Sequence, residues 1–144
     1  RELLEKHHEG LIALSACLAG EIPQAIIKDE DIKARELVEK YLKLFGRDNF
    51  YLEIQNHGIA EQKKANAALI RLAQEYNIGL VATNDVHYIE KNDAKYQDLL
   101  MCIQMNRKVN ETDRMAFETD EFSSNKKPFK SASPQSNGLI LSFG

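Results

Sequence analysis

Three things are scarce in this chain of 144 residues: cysteine, blocks of basic residues and long apolar runs. The two cysteines, Cys17 and Cys102, sit in unlike contexts, one after a short apolar run and one inside a helical pattern, which excludes a disulfide framework. No Lys/Arg block is present and the formal net charge is -3, so tight, autonomous binding of nucleic acid by electrostatics is not expected. No apolar run approaches the roughly 20 residues of a membrane span. No cationic segment followed by a signal-like apolar stretch opens the sequence either, so the expectation is a cytoplasmic protein with no membrane partner. The first residue is Arg1, not methionine, and the sequence reads as a fragment.

What the chain does have is a set of short apolar runs alternating with helical patterns. The most informative is Ile78-Gly-Leu-Val-Ala-Thr-Asn-Asp-Val-His-Tyr88. Its apolar half has no polar alternation, as in a strand covered on both faces in a parallel α/β sheet. It runs into Asp85 and His87, which share a face of an extended chain and can point together into the mouth where such sheets carry chemistry. The Asp-x-His pair alone is a weak signal, since Asp85 as a turn cap and His87 as a solvated histidine give the same pattern. Two other strand ends add to it. The stretch Phe50-Tyr-Leu-Glu-Ile-Gln-Asn-His57 alternates, with Tyr51, Glu53, Gln55 and His57 on its polar side, and Leu11-Ile-Ala-Leu14 leads to Cys17. Imidazole, thiolate and carboxylate gathered at the ends of strands are the donor set of a divalent metal site.

Between these strands the periodicity predicts a short helix over 21–28 with Pro23 in its first turn, where its missing N–H does least harm. A second helix opens at Asp29 and Asp31, carries Ala34, Leu37, Val38, Tyr41, Leu42 and Phe45 on one face, and stops at Gly46. A third spans 58–76 with Ala65, Leu69, Leu72, Ala73 and Tyr76 inward. Asn92 caps a fourth, with Tyr96, Leu99, Leu100 and Ile103 as its buried stripe. Strand, helices, strand, helix, strand, helix is the order of an α/β layered or barrel piece. Three clear strands are too few to close a barrel, leaving an open sheet or part of a larger β/α barrel. After Phe122 the sequence becomes Ser-Ser-Asn-Lys-Lys-Pro-Phe-Lys-Ser-Ala-Ser-Pro-Gln-Ser-Asn-Gly, too polar to bury a core, and 123–144 is expected to be a disordered tail.

Four motifs in order, Gly10-Leu-Ile-Ala-Leu-Ser-Ala-Cys-Leu-Ala-Gly-Glu-Ile-Pro23, Phe50-Tyr-Leu-Glu-Ile-Gln-Asn-His-Gly58, Ala82-Thr-Asn-Asp-Val-His-Tyr88 and Asp93-Ala-Lys-Tyr-Gln-Asp-Leu-Leu-Met-Cys-Ile103, carry a resemblance. From Glu9 to Phe122 the chain resembles the PHP (polymerase and histidinol phosphatase) domain of bacterial DNA polymerase III alpha subunits. The resemblance implies an α/β fold, a partial distorted β/α (TIM-like) barrel over 1–122, and a metal cluster at its mouth. Asp85 and His87 match the family's last Asp-x-His motif and Cys17 its cysteine; His57 lies near the same mouth as a weaker candidate ligand. The family's His-x-His motif and intermediate His, Asp and Glu ligands have no counterpart and would precede Arg1.

The implied chemistry is phosphoester hydrolysis assisted by a divalent ion, zinc, manganese or iron, of the kind used in 3′ to 5′ proofreading. In family members whose site has decayed the domain is structural, and stand-alone PHP phosphoesterases form a further branch; the motif around Tyr96 favours the polymerase branch. The implied partners are DNA, reached through the parent polymerase, and other replicase subunits. The polymerase's own catalytic aspartates lie in another domain, so this chain alone is expected to be inactive, and no catalytic residue is assigned. After Phe122 the family pattern ends and Ser123-Ser-Asn-Lys-Lys takes its place, as a frameshifted or truncated reading frame would produce. A part-barrel of this kind is expected to expose apolar surface and to be marginally stable.

Other groups carry blander readings. His7 and His8 are solvated at a helix end, Lys63, Lys64 and Arg71 form a solvated face, and Cys102 is a small buried apolar residue. Arg107, Lys108 and Arg114, after the fourth helix, are solvated or face DNA or the rest of a polymerase.

Overall fold

The computed structural model describes residues 2–117 and 119–124 and the backbone of 140–141. Its centre is a parallel sheet in the order β1 (Ala13–Leu14), β2 (Phe50–Ile54), β3 (Gly79–Ala82) and β4 (Ile140–Leu141). The two long central strands pair from Tyr51 with Gly79 to Ile54 with Ala82. The sheet does not close among the described residues, so the α/β class holds while a barrel is not seen. The expected disordered tail falls mostly at 125–139 and 142–144, outside the described residues. Ser123 and Ser124, placed in that tail by composition, instead join the fold: Ser123 bridges Tyr88 in parallel, and the Ser124 N–H donates to the Tyr88 carbonyl at 3.0 Å. Ile140 and Leu141, likewise, pair with Val81 and Ala82.

The crossovers are helical, as parallel pairing requires. After the short α1 (Glu2–Lys6), which buries nothing, β1 leads to α2 (Glu21–Ile27) and α3 (Asp31–Phe45). Pro23 stands in the first turn of α2, and α3 ends at Gly46, whose φ of 78° suits the glycine and whose N–H caps the Leu42 carbonyl. The helix α4 (Ala60–Tyr76) returns the chain to β3 and stops at Asn77 in the left-handed region. Both α3 and α4 pack on β2, and α2 packs on both of them. Phe50, Leu52 and Ile54 of β2 meet Ile22, Val38 and Leu69 in one core. Each such side chain, fully buried, contributes about 1.5–3 kcal/mol. Gly79 has a local cause: a Cβ there would lie 2.7 Å from the Tyr51 ring across the strand pair.

The last helix corrects the sequence reading. A 3-10 turn, Lys91–Asp93, carries a reciprocal Glu90/Asp93 cap and runs into α5 (Ala94–Gln104). Its buried residues are Met101 and Cys102, whereas Tyr96, Leu99, Leu100 and Ile103, the expected inward stripe, are 57%, 46%, 59% and 69% exposed. The stripe is apolar, but no described element covers it. Among the described residues no helix is long and apolar enough to cross a membrane.

Candidate metal centre

The polar ends of β1, β2 and β3 meet at one end of the sheet. Ser15, just past β1, is buried, and its hydroxyl accepts the Glu53 N–H at 2.8 Å. The Glu53 carboxylate, 9% exposed, accepts from the Thr83 hydroxyl and from Gln55 Nε2 at 2.9 Å. The side of β2 expected to face the mouth is therefore a buried hydrogen-bonded cluster. One atom stands apart: Gln55 Oε1 is buried with no partner among the described residues. Cys17 is half-buried and lines a small cavity with Glu53, Gln55, Gln62 and Asn66.

His57 is fully buried and held on every side. Gln62, in the first turns of α4, accepts the His57 backbone N–H through Oε1 at 2.7 Å, and its Nε2 meets His57 Nδ1 at 2.7 Å. The other ring nitrogen, Nε2, lies 2.7 Å from the Asn84 carbonyl. A carbonyl only accepts, so the proton sits on Nε2 and Nδ1 accepts from Gln62. Phe122 stacks on the ring at 4.1 Å and 11°.

Beyond β3 the chain turns at Asn84 and Asp85, the latter at φ 43°, a positive value that aspartate adopts more readily than most residues other than glycine. The turn faces Asp85 toward His87, with Oδ1 3.6 Å from Nε2 and both side chains about a third exposed. The segment 122–124 straps the turn: the His87 N–H donates to the Phe122 carbonyl at 2.9 Å, and Asn84 Nδ2 donates to the Ser123 carbonyl at 2.6 Å. Phe117 and Phe122 close over the His87 ring at 4.8 and 5.6 Å. Lys91 holds the strap from outside through Glu121 at 2.8 Å and Asp120 at 3.1 Å, and these hydrogen bonds, Glu121 first, raise its pKa above the ordinary lysine value.

Of the four candidate ligands, Asp85 and His87 are brought together, Cys17 lines the cavity beside Glu53, and His57 has both ring nitrogens engaged. Among the described residues no group of three or more His, Cys, Asp or Glu side chains is placed to hold a metal ion. The Asp85–His87 spacing is near the ~3.4 Å expected for two donors on one tetrahedral zinc at about 2.1 Å each. The pair fits a divalent ion as two of its ligands without completing its shell. Of the basic residues after α5, Arg114 forms a fork with Asp98, whose nearer contact is the short one and whose second is 2.9 Å, and Arg107 pairs with Glu111. Arg114, 13% exposed, is thus tied to α5 through Asp98.

Residues 1–57 match the family model of the PHP domain. The DNA polymerase III subunit alpha of Treponema pallidum (strain Nichols) is 47% identical over 121 residues, which cover 84% of this chain and 10% of the relative. This chain is a relative of the DNA polymerase III alpha subunits. The same subunit of Thermus aquaticus is 47% identical over 122 residues, covering 85% of this chain and 10% of the relative. For that of Deinococcus radiodurans the figures are 46% over 121 residues, 84% and 9%. The chain therefore matches the PHP region of polymerase III alpha, and it spans about a tenth of the length of the curated relatives it matches.

Sequence reasoning missed Gln62 and Phe122. Gln62 had a signal: it stands three and seven residues before Ala65 and Leu69, a polar side chain in register with the apolar face of α4. Phe122 had none, because an aromatic next to a polar tail reads as the end of a domain and not as a strap.

Proposed function

We propose that this chain is the C-terminal part of the metal-binding PHP region of a replicative polymerase alpha subunit, with Asp85 and His87 as ligands to a divalent ion. Cys17, which the described residues do not group with that pair, would be a third donor only where the rest of the parent protein draws it in. The observation that carries the reading is the facing Asp85–His87 pair at the C-terminal end of a parallel strand, in a chain related to these subunits over most of its length. Zinc, manganese or iron bound there would activate a water and offset charge on a phosphoester. The chain's own residues supply the rest: Asp85 and His87 would hold the ion, and Phe117 and Phe122 pack against the imidazole and orient it while leaving it about a third exposed. The substrate class is a phosphodiester such as a DNA 3′ end, and the parent protein makes DNA with other replicase subunits in the cytoplasm. The region is taken as 1–122, with the remaining residues as a tail.

A second reading, a metal-free module that buttresses the polymerase, is favoured by the engagement of both His57 ring nitrogens. A stand-alone phosphoesterase is disfavoured, since the similarity to polymerase subunits runs over 122 residues and takes in more than the metal motifs. Elemental analysis of the parent-length protein decides between the first two. Metal in stoichiometric amount that disappears in Asp85→Asn/His87→Ala supports the metal site. No metal in either protein leaves the buttress.

A further inference from the structure

The buried imidazole at the end of β2 has a role that metal ligation does not describe. The His57 backbone N–H fixes Gln62 with its oxygen toward the main chain, so the Gln62 NH2 must face Nδ1 and occupies that lone pair. The remaining nitrogen spends its proton on the Asn84 carbonyl, the peptide joined directly to Asp85. Asp85 stands at φ 43°, a turn conformation that aspartate enters more readily than most side chains, and the His57 bond to the preceding carbonyl holds that peptide in place. The His57 ring also seats Phe122, whose carbonyl takes the His87 N–H and whose ring meets the His87 edge. One side chain thus reaches both ends of the Asp85-x-His87 turn, by a hydrogen bond at one and a stacked ring at the other.

We propose that His57, clamped by Gln62, is a positioning residue that sets the Asp85–His87 turn in ligating geometry and does not itself bind the metal. The ligating half of this statement rests on the metal reading above; the positioning half does not. Groups that orient metal ligands typically change affinity about 10–100-fold when removed.

The test uses the full 144-residue chain, zinc as the probe, and imidazole nitrogen and backbone amide NMR. In the wild type, zinc is expected to move the His87 ring nitrogens and leave His57 in its Nε2–H form. Gln62→Met is expected to weaken zinc binding about 10-fold or more, and His57→Phe, which keeps a ring against Phe122, to do the same while shifting the amides of 84–87. Zinc shifts at the His57 nitrogens would make it a ligand and overturn the proposal, as would unchanged affinity in Gln62→Met. If zinc moves neither histidine, the Asp85–His87 pair does not hold zinc without further ligands. That overturns the ligating half for this chain and leaves the parent-length metal analysis to decide the metal reading, and the amides decide the rest. Shifts at 84–87 in His57→Phe then uphold the positioning role, and an unchanged turn overturns it.

Discussion

α4 and α5 each follow a strand and each carry an apolar stripe, yet only one stripe is covered. On α4, Ala65, Leu69, Leu72 and Ala73 are all 6% exposed or less, because the helix returns over β2 and β3. On α5 the stripe from Tyr96 to Ile103 stays open, because the helix turns its other side, with Met101 and Cys102, inward. Spacing of three and four residues identifies an apolar face; whether that face is buried depends on what the rest of the fold brings to it. An open stripe of this size on one helix is a mark of an interaction surface or an aggregation liability.

The contrast can be broken most sharply in the core. Leu69→Ala is expected to lower unfolding stability by about 2–5 kcal/mol in urea titrations, while Ile103→Ala stays within about 0.5 kcal/mol. Equal losses would mean that the α5 stripe is covered in solution. On the strand pair beneath α4, Gly79→Ala drives a Cβ into the Tyr51 ring and is expected to cost about 1–3 kcal/mol. Adding Tyr51→Ala should recover part of that loss, and a simply additive double variant would show that the ring is not the obstacle. For α5, Leu100→Gln together with Ile103→Gln is expected to leave the melting temperature nearly unchanged and to reduce binding of an apolar dye. Undiminished dye binding would place the exposed apolar surface elsewhere.

The smallest effect is at high pH. Burial, and then the hydrogen bond from its hydroxyl to Glu39, raise the pKa of Tyr76 above the ordinary 10.0. A group raised in the folded state favours folding fully below its unfolded pKa and loses that contribution as pH rises through the folded one. Stability should therefore decline above about pH 10, and Tyr76→Phe should flatten the decline in melts followed across that range. A Phe variant with the same alkaline slope would assign the loss to other groups.

How much was legible follows the same divide. The α3 and α4 faces and β2 and β3 were readable because each buries its pattern against neighbours in this chain, and Ala34, Val38, Leu69 and Leu72 are where periodicity put them. The α5 stripe was readable as apolar and unreadable as exposed, since coverage is a tertiary fact. At the site, the nearness of Asp85 and His87 was legible from their two-residue spacing, but the turn at Asp85, not an extended strand, faces one toward the other. The lock on His57 depends instead on Gln62 and Phe122, brought in from α4 and from the far side of α5. The polar side of β2 looked like a site lining because Glu53, Gln55 and His57 alternate. Their hydrogen bonds to Ser15, Thr83 and Gln62 come from three separate segments, and no local pattern records them.

The strands stand across the sheet in the order in which they occur in the chain, all parallel. Synthesis from the N-terminus can therefore build the sheet strand by strand: β1 and β2 can pair while α4 is still being made, and β3 can add to the edge that β2 leaves open. At roughly 5–20 residues per second, the 28 residues from Ile54 to Ala82 take about 1–6 s to emerge. For that interval β2 carries an unpaired row of N–H and C=O groups, the kind of edge on which other nascent chains pair. A ribosomal pause inside α4 lengthens the life of that edge, and aggregation during translation is expected to rise with it.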